Sequence, residues 1–170
     1  MRKALVVVDF ENEWTLKKSP YYLGDISQLL ARTNRLIDFC RKKGYRIIFT
    51  AHIEKGSKKE FSDGPRAEII SSLHRDKGDS LVKKNQISPF YRTTLEKELG
   101  NIRSIVICGV LTNLCVRSLA HDAYDRGFDI RIISDCCKAM DKKTHEFTLK
   151  DLKNTREEIQ IQKLSEFTKK

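Results

Sequence analysis

The hydrophobic positions of this chain form short apolar runs and helical repeats that alternate along its length. Residues 4–8 (ALVVV) are uninterrupted apolar positions ending at Asp9, the pattern of a strand buried on both faces of a sheet. From Asp25, which can cap a helix, apolar residues recur at helical spacing until Gly44, which predicts an amphipathic helix. A second strand is predicted over 45–50 (YRIIFT).

The rest of the chain continues this alternation of strands and helices. Helices are predicted over 65–74, 94–100, 112–126 and 142–153, and strands over 80–84, 104–110 (SIVICGV), 129–134 (DIRIIS) and 159–162 (IQIQ), the last an edge strand before a polar tail. This order predicts a three-layer α/β/α fold around a mostly parallel central sheet. The 170 residues contain no linker and no repeat, so a single domain over 1–170 is predicted.

Composition and charge narrow the classes of function. The net charge is +10 and the pI about 9.4, but Lys and Arg are scattered among acidic residues without an aromatic platform. We therefore expect a solvated surface and no nucleic-acid partner. No apolar run approaches the ~20 residues of a membrane span, and the N-terminus has the pattern of a strand, not of a signal peptide. Five cysteines without a disulfide or zinc-type spacing predict a cytoplasmic location.

Four reactive side chains stand at the ends of predicted strands. Asp9 ends the first strand, His52 follows the second, Lys84 ends the short strand and Cys115 follows the third long strand. The carboxyl ends of parallel strands meet at one edge of a sheet, where open α/β proteins bind their ligands. We therefore expect these four side chains to converge on one site.

Cys115 is the candidate nucleophile. The segment 109–115 (GVLTNLC) joins a strand to a helix, and Thr112 can cap that helix, which places Cys115 in its first turn. Backbone N–H groups and the positive end of the helix dipole favour a thiolate there and can stabilise an oxyanion. The alternative is a cysteine that is simply buried, as we expect for Cys40 and Cys108.

Lys84 and Asp9 are the charged candidates beside this thiol. A lysine at the sheet edge stabilises a neighbouring thiolate, and its alternative is a solvated lysine, the state that we expect for Lys83. Asp9 directly follows apolar residues, so its carboxylate must be paired or functional, because burying it alone is costly. A helix-capping or structural aspartate is the alternative.

Three segments resemble the isochorismatase-like cysteine hydrolases, the superfamily that contains nicotinamidases, N-carbamoylsarcosine amidases and isochorismatases. DFENEW at 9–14 is similar to the opening Asp-x-x-Asn-acid-aromatic motif, and KNQISPFYRTTLEKEL at 84–99 to the Lys-x-x-x-Ser-x-Phe-x-x-Thr-x-Leu segment. GVLTNLCVRSLAHDAYDRGFDIRIISD at 109–135 is similar to the block around the nucleophile. Their order and spacing agree, so the resemblance extends over residues 3–137.

The resemblance implies a catalytic triad of Asp9, Lys84 and Cys115. It also implies a cis peptide bond between Val110 and Leu111 that points the backbone N–H groups of Leu111 and Cys115 into an oxyanion hole. The implied reaction releases ammonia from a small amide or N-carbamoyl substrate through a thioester, with Asp9 as the general base and Lys84 stabilising the thiolate. Members are commonly oligomers, so we expect a dimer or a tetramer.

The stretch after the second strand departs from the nicotinamidase pattern. Nicotinamidases usually place one Asp and two His there to hold a metal, whereas residues 50–56 (TAHIEKG) contain one His, His52. We therefore expect no required metal and no other cofactor, although zinc can bind adventitiously to Cys115 and His52.

The sequence indicates the substrate only as a class. Glu11 stands where the family commonly has Gln, and the Asn-Glu-Trp variant with Ser-Pro-Tyr-Tyr at 19–22 most resembles N-carbamoylsarcosine amidase-like members. Aromatic candidates could form an apolar wall or belong to the core, and basic candidates could bind a carboxylate or donate from the pocket wall. These substrate-contact candidates are Trp14, His52, Phe90, Tyr91, Arg92, Arg117 and His121.

Two other functions stay open at this stage. One is hydrolysis of a vinyl ether, as in isochorismatases. Some members of that type lack the cysteine, so the presence of Cys115 argues against this function. The other is a binding protein that keeps the fold without activity, against which the presence of all three triad positions argues.

Overall fold

The computed structural model describes residues 2–54, 61 and 64–169 of the chain. The strands are β1 Lys3–Val8, β2 Arg46–His52, β3 Ser80–Lys84, β4 Ser104–Val110, β5 Asp129–Lys138 and β6 Gln160–Gln162. The helices are α1 Ser27–Lys42, α2 Leu95–Leu99, α3 Arg117–Asp125, α4 Lys142–Thr155 and α5 Leu164–Phe167, with a 3₁₀ turn at Asn12–Thr15 and a π-helical turn at Thr112–Val116. None of the helices in the described ranges is long and apolar enough to cross a membrane.

The strands of the described residues form one parallel sheet in the order β3-β2-β1-β4-β5-β6. The chain moves outward from β1 to β3 and then returns to β4 on the other side of β1. Right-handed crossovers therefore place α1 on one face of the sheet and α2, α3 and α4 on the other. Phe39 and Phe167 join α5 to α1, with ring centroids 5.5 Å apart. The α/β fold predicted from the sequence is confirmed.

The centre of the core is β1, which is hydrogen-bonded on both sides. All residues from Ala4 to Val8 are fully buried, because helices cover both faces of the sheet. Val8 is level with Thr50 of β2 and with Gly109 of β4, so the carboxyl ends of the three central strands finish together. The chain changes direction between β1 and β4, and open parallel sheets usually bind their ligands at the carboxyl ends of strands at such a point.

The segment 65–74 forms turns and an isolated bridge, and the helix predicted there is wrong. Backbone hydrogen bonds of 2.9 Å run from Glu13 N–H to Arg66 O and from Ile70 N–H to Phe10 O. The Arg66 guanidinium also binds the buried Glu13 carboxylate at 2.5 and 2.6 Å. These partners are 53 positions apart in the sequence, and local apolar spacing carries no information about contacts of that range.

Three element boundaries also differ from the prediction. β5 continues to Lys138, past the predicted end at residue 134. The predicted polar tail contains α5, whose Leu164 and Phe167 are buried. Ile26 takes the cap position of α1, while Asp25 Oδ1 accepts the Ser27 N–H at 2.8 Å.

Candidate active site

Asp9, Lys84 and Cys115, which follow or end three different strands, meet at the carboxyl edge of the sheet. Lys84 Nζ lies 2.7 Å from Asp9 Oδ2 and 3.3 Å from Cys115 Sγ. Asp9 and Lys84 are buried, and Cys115 is partly buried. One ammonium group thus lies within hydrogen-bonding range of both a carboxylate and a thiol.

Asp9 is held in place by neighbouring backbone and side chains. It is the first residue after β1, and its φ of 53° lies in the left-handed region that residues with a Cβ seldom adopt. The Thr50 hydroxyl donates to Asp9 Oδ1 at 2.5 Å and accepts the Asp9 N–H at 3.2 Å. The Trp14 indole N–H donates to the Asp9 carbonyl at 2.6 Å. Thr50 and Lys84 together engage both carboxylate oxygens.

Lys84 Nζ is surrounded by polar groups. Besides Asp9 and Cys115, it contacts the Gln86 carbonyl at 3.1 Å and His52 Nδ1 at 3.2 Å. Burial lowers the pKa of Lys84, but the Asp9 and Cys115 charges outweigh burial and the net direction is upward. Burial and the Lys84 charge lower the pKa of His52. At neutral pH the lysine is therefore charged, and the imidazole is neutral and accepts its hydrogen bond.

The turn that carries the nucleophile differs from the predicted helix cap. Cys115 lies in the π-helical turn Thr112–Val116, and the cap position of this turn is Leu111, which follows a cis peptide bond. The hydroxyl of Thr112 does not cap a helix, because it lies 2.8 Å from His145 Nδ1 of α4. The sequence could not reveal this contact, which ties the nucleophile turn to α4.

The surroundings of Cys115 favour its neutral thiol over the thiolate. Burial raises the pKa of this thiol, the nearby Asp9 carboxylate raises it further, and Lys84 opposes them only in part. This differs from the expectation that the helix terminus and Lys84 would favour a thiolate. An attack by this sulfur on a carbonyl carbon would therefore require a base close by to take the thiol proton.

His52 and its described neighbours do not fit the metal expected of nicotinamidases. Nδ1 of His52 faces the Lys84 ammonium, and Nε2 lies 3.9 Å from Glu54 Oε1. Within the described ranges, no group of three His, Cys, Asp or Glu side chains could hold a metal ion. Residue 55 and residue 56 of the stretch considered in the sequence lie outside the described residues.

Trp14 is the aromatic candidate that the fold places beside Asp9. Its ring packs against Tyr21 and Phe61, with centroids 6.0 and 4.8 Å away. Phe61 also lies 5.8 Å from the His52 ring. The sequence did not single out Tyr21 or Phe61, because each lies in an irregular segment whose partners are distant in the chain.

Phe90, Tyr91 and Arg92 make their contacts elsewhere. The Phe90 ring packs 6.0 Å from Phe128, which precedes β5 at the amino edge of the sheet, whereas Cys115 lies at the carboxyl edge. Tyr91 and Arg92 are exposed, and the Arg92 guanidinium lies 5.3 Å from the Tyr91 ring. The structure thus does not bring these three side chains to the triad.

Arg117 and His121 lie on α3 and interact with α4. Arg117 binds Asp151 at 2.6 Å. Burial lowers the pKa of His121, and the charges of Arg117 and Arg156 add to this effect. The Arg117–Asp151 ion pair joins α3 to α4, and the charges that act on His121 belong to these two helices and to Arg156, which follows α4.

Known proteins share the sequence pattern and the fold. The isochorismatase domain family matches residues 3–162. The chain is 28% identical over 165 residues to Nicotinamidase 3 of Arabidopsis thaliana, over 88% of this chain and 79% of that protein. It is 23% identical over 168 residues to maleamate amidohydrolase of Pseudomonas putida, which covers 89% of this chain and 79% of that protein. The crystal structure of an isochorismatase-like hydrolase from Alkaliphilus metalliredigens has a TM-score of 0.90 at 20% identity, covering 99% of this chain and 98% of that chain.

Proposed function

This chain belongs to the isochorismatase family, and we propose that it is a cysteine amidohydrolase that cleaves a non-peptide C–N bond of a small amide or N-carbamoyl compound. The observation that carries the proposal is the contact of Lys84 Nζ with both Asp9 Oδ2 and Cys115 Sγ. A nicotinamidase and a maleamate amidohydrolase among the relatives support an amide as the substrate.

The first half of the proposed reaction forms a thioester. Cys115 Sγ attacks the substrate carbonyl carbon while Asp9 takes the thiol proton, and Lys84 stabilises the developing negative charge on sulfur. The tetrahedral oxyanion accepts hydrogen bonds from the backbone N–H groups of Leu111 and Cys115. Asp9 then gives its proton to the leaving nitrogen, so that ammonia departs as the thioester forms.

The second half hydrolyses the thioester. Asp9, again a carboxylate, takes a proton from water as the water oxygen attacks the thioester carbonyl. The thiol of Cys115 leaves and recovers the proton, and an acid is released. The contact of Lys84 Nζ with Asp9 Oδ2 at 2.7 Å keeps the Asp9 side chain in place for both halves. No step passes through a metal or another cofactor.

The experiment that tests this function is an assay of ammonia release from nicotinamide, maleamate, N-carbamoyl amino acids and simple amides. We expect release from at least one compound, abolished in Cys115→Ala and in Asp9→Asn. Cys40→Ala is the matched control, because Cys40 is buried in α1, and it should retain activity.

Three results would contradict the proposal. Ammonia release that survives Cys115→Ala would show that the sulfur is not the nucleophile. Turnover of isochorismate without ammonia release would favour the vinyl ether reaction instead. Binding without turnover of any compound in the panel would favour a protein without catalytic activity.

We also propose that the protein forms a homodimer or homotetramer. Large apolar side chains of the described residues remain exposed in the single chain, which a second copy could cover; they are Leu16, Tyr21, Ile87, Tyr91, Leu114, Met140 and Phe147. Light scattering tests this, and a monomer at micromolar concentration would contradict it. The cytoplasmic location inferred from the cysteine pattern stays a prediction.

A further inference from the structure

Glu11 is a second buried carboxyl group beside the triad. Its side chain is fully buried, and Oε1 accepts the backbone N–H of His52 at the end of β2. Its backbone forms a bridge with Ile69, so both parts of the residue join the chain after β1 to other segments. Among the described residues, Oε2 accepts no hydrogen bond of ordinary geometry, and the Trp14 side chain is the nearby donor.

Burial and the neighbouring Asp9 carboxylate favour the neutral form of Glu11, and the charge of Lys84 opposes them only in part. The nearby charged side chains are Asp9 and Lys84, and the neighbouring imidazole of His52 is neutral. Lys84 is already paired with Asp9 at 2.7 Å, so one buried cation faces two buried carboxyl groups. Since two carboxylates that share one cation cannot both ionise cheaply, the one without the ion pair holds the proton. Burial and then the Asp9 charge raise the pKa of Glu11 well above its usual range.

We propose that Glu11 is a positioning residue that acts as an uncharged carboxylic acid. It ties the end of β2 to the chain after β1 and so holds His52 against Lys84, leaving Asp9 as the single carboxylate that can accept the proton of Cys115. This inference rests on the proposed function, because its kinetic effect is an effect on the triad.

The chemical identity of the side chain supports this role. A protonated carboxylic acid carries a carbonyl acceptor beside an O–H donor, and the uncharged amide of Gln likewise carries a carbonyl acceptor beside N–H donors. The neutral acid can therefore keep the hydrogen bond from His52 without adding a second negative charge next to Asp9. A charged Glu11 would compete with Asp9 for Lys84 and weaken the ion pair on which the triad depends.

The variants Glu11→Gln and Glu11→Ala together test whether Glu11 acts as a neutral acid or as an anion. We expect Glu11→Gln to keep kcat within about threefold of the parent protein, because the amide keeps the acceptor and adds no charge. Glu11→Ala loses the acceptor, and we expect kcat to fall roughly 10- to 100-fold with KM little changed, since His52 and Lys84 lose their alignment. A loss in Glu11→Gln as large as in Glu11→Ala would overturn the proposal, because it would mean that the charge is needed.

Two further measurements do not depend on finding a substrate. The infrared difference spectrum of the parent protein minus Glu11→Gln should contain the carbonyl band of a buried protonated acid, and a carboxylate band in its place would overturn the proposal. The rate of Cys115 alkylation by iodoacetamide should be unchanged in Glu11→Gln and altered in Glu11→Ala, with both variants folded by circular dichroism. If the parent protein alkylates but hydrolyses nothing, the proposed function fails while these two results still decide the role of Glu11.

Discussion

Lys84 and Asp9 are charged side chains that folding removes almost completely from water. A buried ion pair compensates for lost hydration only when its geometry is close and its remaining polar atoms are satisfied. At 2.7 Å, with Thr50 on one side and the Gln86 carbonyl on the other, this pair meets both conditions. Each partner therefore depends on the other for stability as well as for chemistry.

We expect Lys84→Met to lower the free energy of unfolding by about 3–5 kcal/mol, because it leaves Asp9 buried and unpaired. The double variant Asp9→Asn/Lys84→Met removes both charges and should recover part of this loss, though none of the activity. Urea unfolding measures the difference. Lys150→Met changes an exposed lysine of α4 and serves as the control, with an expected change below ~0.5 kcal/mol. A double variant less stable than Lys84→Met would contradict the prediction.

Thr50 holds the carboxylate of Asp9, the general base of the proposed reaction. Thr50→Val removes the hydroxyl that donates to Asp9 Oδ1 at 2.5 Å and keeps the shape of the side chain. A hydrogen bond to a charged group contributes about 1.5–3 kcal/mol, so we expect kcat to fall roughly 10- to 100-fold. Thr50→Ser keeps the hydroxyl and should stay close to the parent activity. Equal losses in the two variants would point to packing instead of the hydrogen bond.

The ends of β1 and β4 decide how the elements bring Asp9 and Cys115 together. Gly109 lies opposite Val8 of β1. On its other side, the pairing of β4 with β5 shifts register between Ile107 and Gly109. Its φ is +136°, and an added Cβ would lie 2.1 Å from the Val8 carbonyl oxygen. A side chain at this position would therefore push apart the two strands whose ends carry the site.

We expect Gly109→Ala to lower the free energy of unfolding by roughly 3 kcal/mol or more, through overlap with Val8 and an unfavourable φ. Any folded protein should have little hydrolytic activity, because the strand ends are displaced. Gly78→Ala is the matched control, since its added Cβ has no atom within 4 Å and its φ is not in the left-handed region. Thermal unfolding by calorimetry compares the two, and equal melting temperatures would contradict the prediction.

The core of the whole molecule holds several buried thiols, which makes stability depend on alkaline pH. Burial raises the pKa of Cys40 and of Cys137 to about 12, whereas an unfolded cysteine titrates near ~8.5. The folded protein thus binds more protons than the unfolded chain in this window. Their stabilising contribution is complete below about pH 8.5 and is lost as the pH rises from there through about 12.

We expect the free energy of unfolding to fall by about 2 kcal/mol per such thiol between pH 7 and pH 10. Over the same pH interval, the free energy of unfolding of Cys40→Ala should fall by about 2 kcal/mol less than that of the parent protein, whatever the stability of the variant at pH 7. Urea unfolding at the two pH values measures the slope. Leu36→Ala truncates another buried side chain of α1 without removing a thiol, so it should keep the full pH dependence; a parent-like slope in Cys40→Ala would contradict the prediction.

Much of the fold could be predicted because its strands and helices have local patterns of apolar residues in the sequence. The apolar run 4–8 is typical of a central parallel strand, and the helical spacing after Asp25 is typical of a covering helix. The segment 65–74 could not be predicted in this way, because its backbone binds residues near 10–13 rather than its own next turn. Short-range periodicity fails wherever distant segments satisfy the backbone.

The candidate site divides along the same line. Asp9, Lys84 and Cys115 could be found from the sequence, because parallel strands place their carboxyl ends at one edge and each residue stands at such an end. Only the tertiary structure decided that Thr50 and Glu11 belong to the site and that Phe90 and Arg117 make their contacts elsewhere. The protonation of the Cys115 thiol and of the Glu11 carboxyl group also depends on the tertiary structure. Burial and neighbouring charges set the protonation of a side chain, and they arise only when distant segments pack together.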